Sequence, residues 1–433
     1  TRIRIYTCTR SSRALDPVLG PQGLRIIASI LRDGPRGRNW LDSVEIAWQN
    51  KSKTITMNEG IGMASQLPNH GEAITLEWLE ETLSHLNVGH SITAFSVSPV
   101  GATAGFLGDI CRIDLTWSGG EAVPSVIVKF PTVRPDNLET GRGLLAYERE
   151  AKFYLAHSDG CSLKPPTCHA AIDVSGSGDF LLVIEDLAAY RFVSQLDGID
   201  EADAIRAVEG LATMHAQYWD DPAIQESDAL YPFSTWADIY PPAIETGWPL
   251  YKAHFSYVID DDLMPYFEAG NEASAAIFNF FADSRPKTLL HGDARMENVC
   301  FDPVTGAPRM YDWQLTSTGP AAWDLCYFFA QSLGETEWPD LGERCIEAYY
   351  KKLKEGGVAN YSEADLRRDL QIVSCLLFGF ASMVGNFLCP PGEAEKNIVE
   401  ATTPRFWAVI RHLESKEVLE RLSDFIEGPT SQS

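Results

Sequence analysis

His291-Gly292-Asp293-Ala294-Arg295-Met296-Glu297-Asn298, with Tyr311-Asp312-Trp313-Gln314 a short way on, constrains this chain more than any other stretch. Between the two, Val299-Cys300-Phe301 and Pro308-Arg309-Met310-Tyr311 read as short strands joined by the turn-rich Asp302-Pro303-Val304-Thr305-Gly306. Such a hairpin sets Asn298 and Asp312 opposite each other at its open end, where two oxygen ligands converge on a hard cation such as magnesium. The set suits metal-assisted phosphoryl transfer. Asp293 would receive or orient the proton of an acceptor hydroxyl, while Asn298 and Asp312 would hold Mg2+ on the nucleotide phosphates. His291 is expected to be structural, bonding backbone around the loop. Arg295 meets phosphate or a nearby acid, or is solvated, and Glu297 is exposed.

The form His-Gly-Asp-x4-Asn followed by Asp-x-Gln resembles the aminoglycoside phosphotransferase and choline kinase superfamily of small-molecule kinases, and within it the ecdysteroid-kinase-like (CHK-kinase-like) branch. It departs from the His-Arg-Asp and Asp-Phe-Gly of protein kinases, and Gln314 stands where their glycine would be. Asp324, in Gly319-Pro320-Ala321-Ala322-Trp323-Asp324-Leu325, resembles a family position that braces the catalytic loop. Leu211-Ala212-Thr213-Met214-His215-Ala216-Gln217-Tyr218-Trp219 resembles a family helix whose His and Trp serve packing. The resemblance covers roughly residues 72–425. It implies an α+β, two-lobed, protein-kinase-like fold: a small, mainly β N-lobe over 72–186 that binds nucleotide, and a large, mainly α C-lobe over 187–427 that carries catalysis and the acceptor. ATP and Mg2+ are the cofactors it implies.

Pro99-Val100-Gly101-Ala102-Thr103-Ala104-Gly105-Phe106-Leu107-Gly108 lies between two strand-like segments, 92–97 and 110–117. Glycines let backbone N–H groups approach phosphate oxygens with no Cβ in the way, so Gly101, Gly105 and Gly108 are candidate phosphate contacts. Lys129 follows in a strand of β-branched residues, Ser125 to Phe130, where it would hold the α- and β-phosphates if a carboxylate orients it. Glu148 and Glu150 both offer one, on a helix face that also carries Arg149 and Lys152 and reads equally as solvated. The family pattern, aromatic-x-x-Glu-x-x-Phe-Tyr, selects Glu150. Leu181-Leu182-Val183-Ile184-Glu185-Asp186-Leu187 resembles the family hinge, whose backbone around Glu185 to Leu187 would bond the adenine edge. The whole arrangement requires Lys129 to face the Asp293, Asn298 and Asp312 trio.

Composition narrows the partners. The formal charge of −25 excludes sequence-independent nucleic-acid binding, which needs clustered Lys and Arg. Nine cysteines without a Cys-x-x-Cys pair argue against a disulfide framework or zinc, and for reduced thiols in a cytoplasmic protein. The longest apolar run, 372–388, is interrupted by Ser374, Gly379, Ser382, Gly385 and Asn386 and is shorter than a membrane span of about 20 residues. It reads as a buried helix begun by the capping-box-like Ser362-Glu363-Ala364-Asp365, not as a membrane anchor.

Residues 1–62 carry ten Lys and Arg against five Asp and Glu, opposite in sign to the whole chain. They show no sustained period and are expected to be a disordered basic arm, or sequence outside the fold, dispensable for activity; a targeting peptide is the alternative. From Thr75, a helix with Leu76, Leu79, Leu83 and Leu86 on one stripe is followed by strands at 92–97, 110–117 and 125–130. A helix over 143–156 and a strand over 180–185 complete the small lobe. Helices over 202–219, 271–282, 341–354 and 363–388 make up most of the remainder. Residues 231–267 are rich in aromatics, and Tyr231, Phe233, Trp236, Tyr240, Trp248, Tyr251, Phe255 and Tyr257 are expected to line an apolar acceptor pocket, with helix packing as the alternative. The resulting expectation is an ATP-dependent kinase (EC 2.7.1.-) passing the γ-phosphate to a hydroxyl of a small metabolite or sterol-like acceptor. An antibiotic or choline-type phosphotransferase and an inactive nucleotide-binding scaffold are the other readings. No activation segment of Ala-Pro-Glu type follows Asp312, which disfavours a protein substrate.

Overall fold

The computed structural model describes residues 4–6, 68–86, 89–100, 107–119, 123–174, 179–283 and 286–426. The chain divides into two compact units, Thr1–Asp159 with Pro166–Leu187, and Gly160–Pro165 with Ala188–Ser433.

The first unit is built on strands β1 (Arg4–Tyr6), β2 (Ile92–Pro99), β3 (Gly108–Trp117), β4 (Ser125–Pro131), β5 (Cys168–Val174) and β6 (Asp179–Glu185). They form one antiparallel sheet in the order β1-β5-β6-β4-β3-β2. Of the basic segment expected outside the fold, Arg4–Tyr6 therefore pair with β5; the rest of residues 1–62 lies outside the described residues. Strand alternation sorts the side chains. Cys111, Ile113 and Leu115 of β3, Val126, Val128 and Phe130 of β4, and Leu181 and Val183 of β6 turn to one face. Helix α1 (Leu76–Thr82) covers that face with Trp78 and Leu79, and Thr75 caps it by accepting from the Trp78 N–H at 3.2 Å. Lys129 is thereby committed to the opposite face. Helices α2 (Pro135–Gly143) and α3 (Ala146–Ala156) follow β4.

The second unit is mainly helical: α4 (Glu201–Gln217), α5 (Trp236–Phe255), α6 (Tyr266–Asp283), α7 (Ala322–Ser332), α8 (Glu343–Glu355), α9 (Glu363–Ser374), α10 (Leu376–Leu388) and α11 (Glu393–His412). Two small antiparallel sheets lie among them. One has the order β10-β9-β7 and the other β11-β8, with β7 Arg191–Phe192, β8 Thr288–Leu290, β9 Val299–Phe301, β10 Pro308–Met310 and β11 Ser317–Gly319. Residues 160–165 are tied into this unit by Arg309, whose guanidinium donates to the carbonyls of Lys164 (2.8 Å) and Pro165 (3.0 Å).

Helix α5 carries Pro241, Pro242 and Pro249 in its interior, each lacking the N–H that an α-helix uses. Its buried face outweighs that loss, since Trp236, Tyr240, Ile244, Gly247, Tyr251 and Phe255 repeat at helical spacing. Helices α5 and α10 touch backbone to backbone, and a Cβ on Gly385 would sit 2.1 Å from the Gly247 carbonyl oxygen. The aromatics expected to line an acceptor pocket are largely core: Phe233, Trp236, Tyr240, Tyr251 and Phe255 are buried, and Trp248 stacks on Phe267 at 4.4 Å. Of the others, Tyr231 and Trp248 are half-buried and Tyr257 is exposed. The apolar stretch 363–388 begins with the anticipated capping box, Ser362 and Asp365 exchanging backbone and side-chain bonds. It is long and apolar enough to cross a membrane by composition, yet 72% of its window is buried within the protein.

Candidate active site

In the first unit, Lys129 Nζ lies 3.0 Å from Glu150 Oε1 and 2.8 Å from Oε2. Helix α3 buries Tyr147, Glu150, Ala151 and Tyr154, an i, i+3, i+4, i+7 face, so Glu150 turns inward. Glu148 sits off that face and pairs with Lys152 instead. The structure brings Glu150, the acid that the family pattern selects, to the lysine. Gly108 backs the same lysine: a Cβ there would lie 3.2 Å from Lys129 Cε. Gly101 and Gly105 lie outside the described residues. At the end of β6, Glu185 Oε2 accepts from the Thr167 N–H (2.9 Å) and hydroxyl (3.0 Å). Asp186 takes the Ser125 hydroxyl at 2.6 Å and the Arg112 guanidinium at 2.9 Å. Both acids thus fix strand ends, and Leu187 after them is buried.

In the second unit the expected hairpin forms, with Val299 opposite Met310. The Tyr311 N–H donates to the Asn298 carbonyl at 3.0 Å, so Tyr311 rather than Asp312 stands opposite Asn298, and Asp312 follows it at the open end. The Asn298 amide donates to the Asp293 carboxylate (2.8 Å) and to the Asp293 carbonyl (2.9 Å). With its nitrogen so engaged, Asn298 keeps its amide oxygen as an acceptor. Asp312 has the left-handed φ of 64°, a conformation that redirects the chain directly after the hairpin.

His291 ties the loop to the hairpin. Its Nε2 lies 3.0 Å from the Tyr311 carbonyl, and its Nδ1 accepts from the Asp293 N–H at 3.3 Å. Burial pushes its pKa below the ordinary value, consistent with a neutral ring that donates at Nε2 and accepts at Nδ1. Asp324 braces the same loop from α7, its two oxygens accepting the N–H groups of His291 (2.7 Å) and Gly292 (2.9 Å). His215 of α4 reaches Asp324 at 3.2 Å. Gly292 has φ +84°, and a Cβ there would lie 2.0 Å from the Leu315 carbonyl oxygen, so the middle residue of His-Gly-Asp must be glycine. Arg295 Nε stands 3.5 Å from Asp293 Oδ2. Burial disfavours its charge, but Asp293, Tyr327, Glu297 and Asp312 outweigh burial and hold its pKa above the ordinary value. Glu297 is exposed.

Three polar residues that sequence reasoning passed over also stand here. The Tyr327 hydroxyl accepts from the Gln331 amide at 3.3 Å, and Gln331 accepts from Gln195 at 2.6 Å, which in turn accepts from Arg295 at 3.3 Å. Asp324, Tyr327 and Gln331 share one helical face at i, i+3 and i+7, a signal available in the sequence but hidden by the apolar residues around them.

The donor set suits a hard divalent cation. One carboxylate and one amide oxygen, from Asp312 and Asn298, match an ion that takes few protein ligands and completes its shell with phosphate and water. Among the described residues no cluster of three or more His, Cys, Asp or Glu is arranged to hold a metal alone.

A small antiparallel-sheet unit and a large helical one, with His-Gly-Asp and its hairpin in the latter, define a kinase-like α+β fold. The chain belongs to the phosphotransferase enzyme family APH, whose model matches residues 141–362; this is the aminoglycoside phosphotransferase and choline kinase superfamily of small-molecule phosphotransferases. Among solved structures it is similar to a Plasmodium vivax ethanolamine kinase, at 11% identity over 80% of this chain and 89% of that one, with a TM-score of 0.51. It is also similar to a choline kinase from Cryptosporidium parvum Iowa II (9% identity, 78% and 93% covered, TM-score 0.45). A macrolide 2'-phosphotransferase from Brachybacterium faecium gives 14% identity, 75% and 98% covered, and a TM-score of 0.41. No curated protein matches the chain.

Proposed function

We propose that this protein is an ATP-dependent kinase of the ecdysteroid-kinase-like branch, passing the γ-phosphate to a hydroxyl of a small metabolite or sterol-like acceptor. The observation that carries the reading is the state of Asp293. Its carboxylate is held by Asn298 at 2.8 Å on a loop braced by Asp324, and it is only partly buried. A carboxylate so fixed can take the proton of an alcohol as the oxygen bonds to the γ-phosphorus and the bond to the β–γ bridging oxygen breaks, leaving ADP. Lys129, oriented by Glu150, is assigned to the α- and β-phosphates, and Asn298 and Asp312 are assigned to Mg2+. When bound, that ion would neutralise charge on the phosphate oxygens. Backbone around Glu185 and Leu187 is assigned to adenine. A cytoplasmic setting is part of the same proposal, supported by eight described cysteines that are all free thiols.

A screen of hydroxylated metabolites with labelled ATP and magnesium, run on the wild type and on Asp293→Asn, tests it. Transfer that is lost in Asp293→Asn while ATP still binds supports the kinase. Equal turnover by the two proteins, or none by the wild type, defeats it and leaves a nucleotide-binding scaffold.

A further inference from the structure

We propose that the acceptor is a small zwitterion, a hydroxylated amino acid or short peptide, whose carboxylate pairs with Arg405 and whose ammonium group meets Glu337 and Asp197. The inference rests on the kinase reading and narrows the acceptor to that class.

A cavity of about 540 Å³ opens between residues 191–200, Gly334 and Glu337 beyond α7, and Arg405 of α11. All of its lining belongs to the second unit. That volume is in the range that takes a small metabolite. Six of its twelve lining residues are charged, so it is a poor slot for an apolar ring system.

The charges fall into a paired set and an unpaired one. Asp203, 1% exposed, accepts from Arg191 at 2.6 Å and Arg206 at 3.1 Å and is neutralised within the protein. Arg405, 7% exposed, is different. Its Nη1 donates to the Gln195 carbonyl at 2.8 Å and the Gln331 carbonyl at 2.9 Å, which uses both hydrogens on that nitrogen. Among the described residues it has no ion-pair partner, and its Nε and Nη2 make no hydrogen bond. Burial lowers its pKa, with the Glu337 charge opposing. The Nε–Nη2 edge is one that a carboxylate meets side-on with two bonds. Gly198, at φ +82°, leaves Nη2 uncovered; a Cβ there would touch it at 3.8 Å.

The rim selects the other end of the ligand. Asp197, Asp200 and Glu337 line the cavity, are exposed, and form no ion pair among the described residues. A plain carboxylic acid would bring a negative charge among three acids. A plain amine would leave Arg405 desolvated and unpaired. A zwitterion answers both ends at once.

Gln195 joins this cavity to the catalytic loop. Its carbonyl takes Arg405, and its side-chain oxygen accepts from Arg295 Nη1 at 3.3 Å. Arg295 Nε stands 3.5 Å from Asp293 Oδ2. An acceptor anchored on Arg405 extends its hydroxyl past Gln195 to Asp293. Asp293 takes the proton as the hydroxyl oxygen bonds to the γ-phosphorus and ADP leaves.

The test is phosphate transfer from labelled MgATP by the full chain to a matched panel. It holds L-serine, L-threonine, L-homoserine, glycyl-L-serine and L-seryl-glycine, each beside its carboxamide and its N-acetyl form, with glycerol and cholesterol as uncharged controls. A free zwitterion should be the best acceptor. Its carboxamide should be about tenfold poorer or worse in kcat/KM, the size expected for hydrogen bonds to a charged group, and its N-acetyl form should also be poorer. Arg405→Lys should raise the acceptor KM about tenfold, since an ammonium cannot make the paired contact, and leave the KM for ATP unchanged. If that variant does not fold, Glu337→Gln with Asp197→Asn, both at exposed positions, reads the other end: the penalty for N-acetylation should shrink. Transfer to carboxamides, glycerol or cholesterol as fast as to any zwitterion overturns the inference, as does an unchanged acceptor KM in Arg405→Lys or an unchanged N-acetyl penalty in the double variant. Asp293-dependent release of phosphate to water, with no transfer to any panel member, also overturns it. In each of these cases the kinase reading stands. If Asp293→Asn keeps wild-type turnover, or the wild type has none, both fall together.

Discussion

Lys129 and Glu150 form a buried ion pair, Nζ to Oε2 at 2.8 Å, with the two residues 5% and 1% exposed. Removing one member leaves the other charged and desolvated, which costs about 3–5 kcal/mol. Lys129→Ala should therefore lower the urea midpoint clearly. Adding Glu150→Gln should recover part of the loss, because the orphaned charge is gone. A double variant no more stable than Lys129→Ala would mean that the pair is not the source.

Asp324 supplies both oxygens to backbone N–H groups of the catalytic loop. Asp324→Ala strands two buried donors at about 1–3 kcal/mol each, and should reduce stability and phosphate transfer together. Asp324→Asn keeps one acceptor oxygen and should fall between it and the wild type. Thermal melts and transfer rates on the three proteins check the order.

Gly292→Ala tests whether the loop has any room. A methyl 2.0 Å from the Leu315 carbonyl oxygen, at φ +84°, cannot be accommodated in place. The expected cost is roughly 3 kcal/mol or more, visible as a lower melting temperature and lost transfer. An alanine variant that melts like the wild type would contradict the backbone geometry described.

His169 and His85 supply a pH dependence in the first unit. His169 Nδ1 lies 3.3 Å from His85 Nε2, and burial followed by the His85 charge lowers the His169 pKa to about 4. A lowered folded-state pKa means that its stabilisation is complete above the unfolded value near 6.5 and is lost as pH falls towards 4. The loss should approach on the order of 3 kcal/mol at the acid end. Urea melts between pH 7 and pH 4.5 should show it, with a smaller slope in His169→Gln.

Local chemistry made much of the catalytic loop legible. Two short strands with a turn between them pair only in a few registers, and the hairpin at 299–310 forms with Asn298 opposite Tyr311, one residue short of the expected Asp312. The Ser362 capping box and the Thr75 cap were likewise readable, because capping involves residues three apart. Other elements were not. Strand β5 lacks a clear apolar alternation in Cys168-His169-Ala170-Ala171-Ile172, and it forms because β6 pairs along it. Helix α5 contains three prolines, a local argument against a helix that its packing on α10 outweighs. Helix α11 runs through Pro404 in the same way.

Spacing along the chain picked out the candidate site groups, one aspartate, one asparagine and a second aspartate, with a glycine that no other residue replaces. Only tertiary structure shows Glu150 turned onto Lys129 while Glu148 pairs with Lys152, and brings Gln195, 100 residues before Arg295, against Arg295 and Gln331. The reason is physical: caps, turns and hairpins are closed by neighbours in sequence, whereas the inward turn of an acid or amide depends on which distant surface is there to bury it.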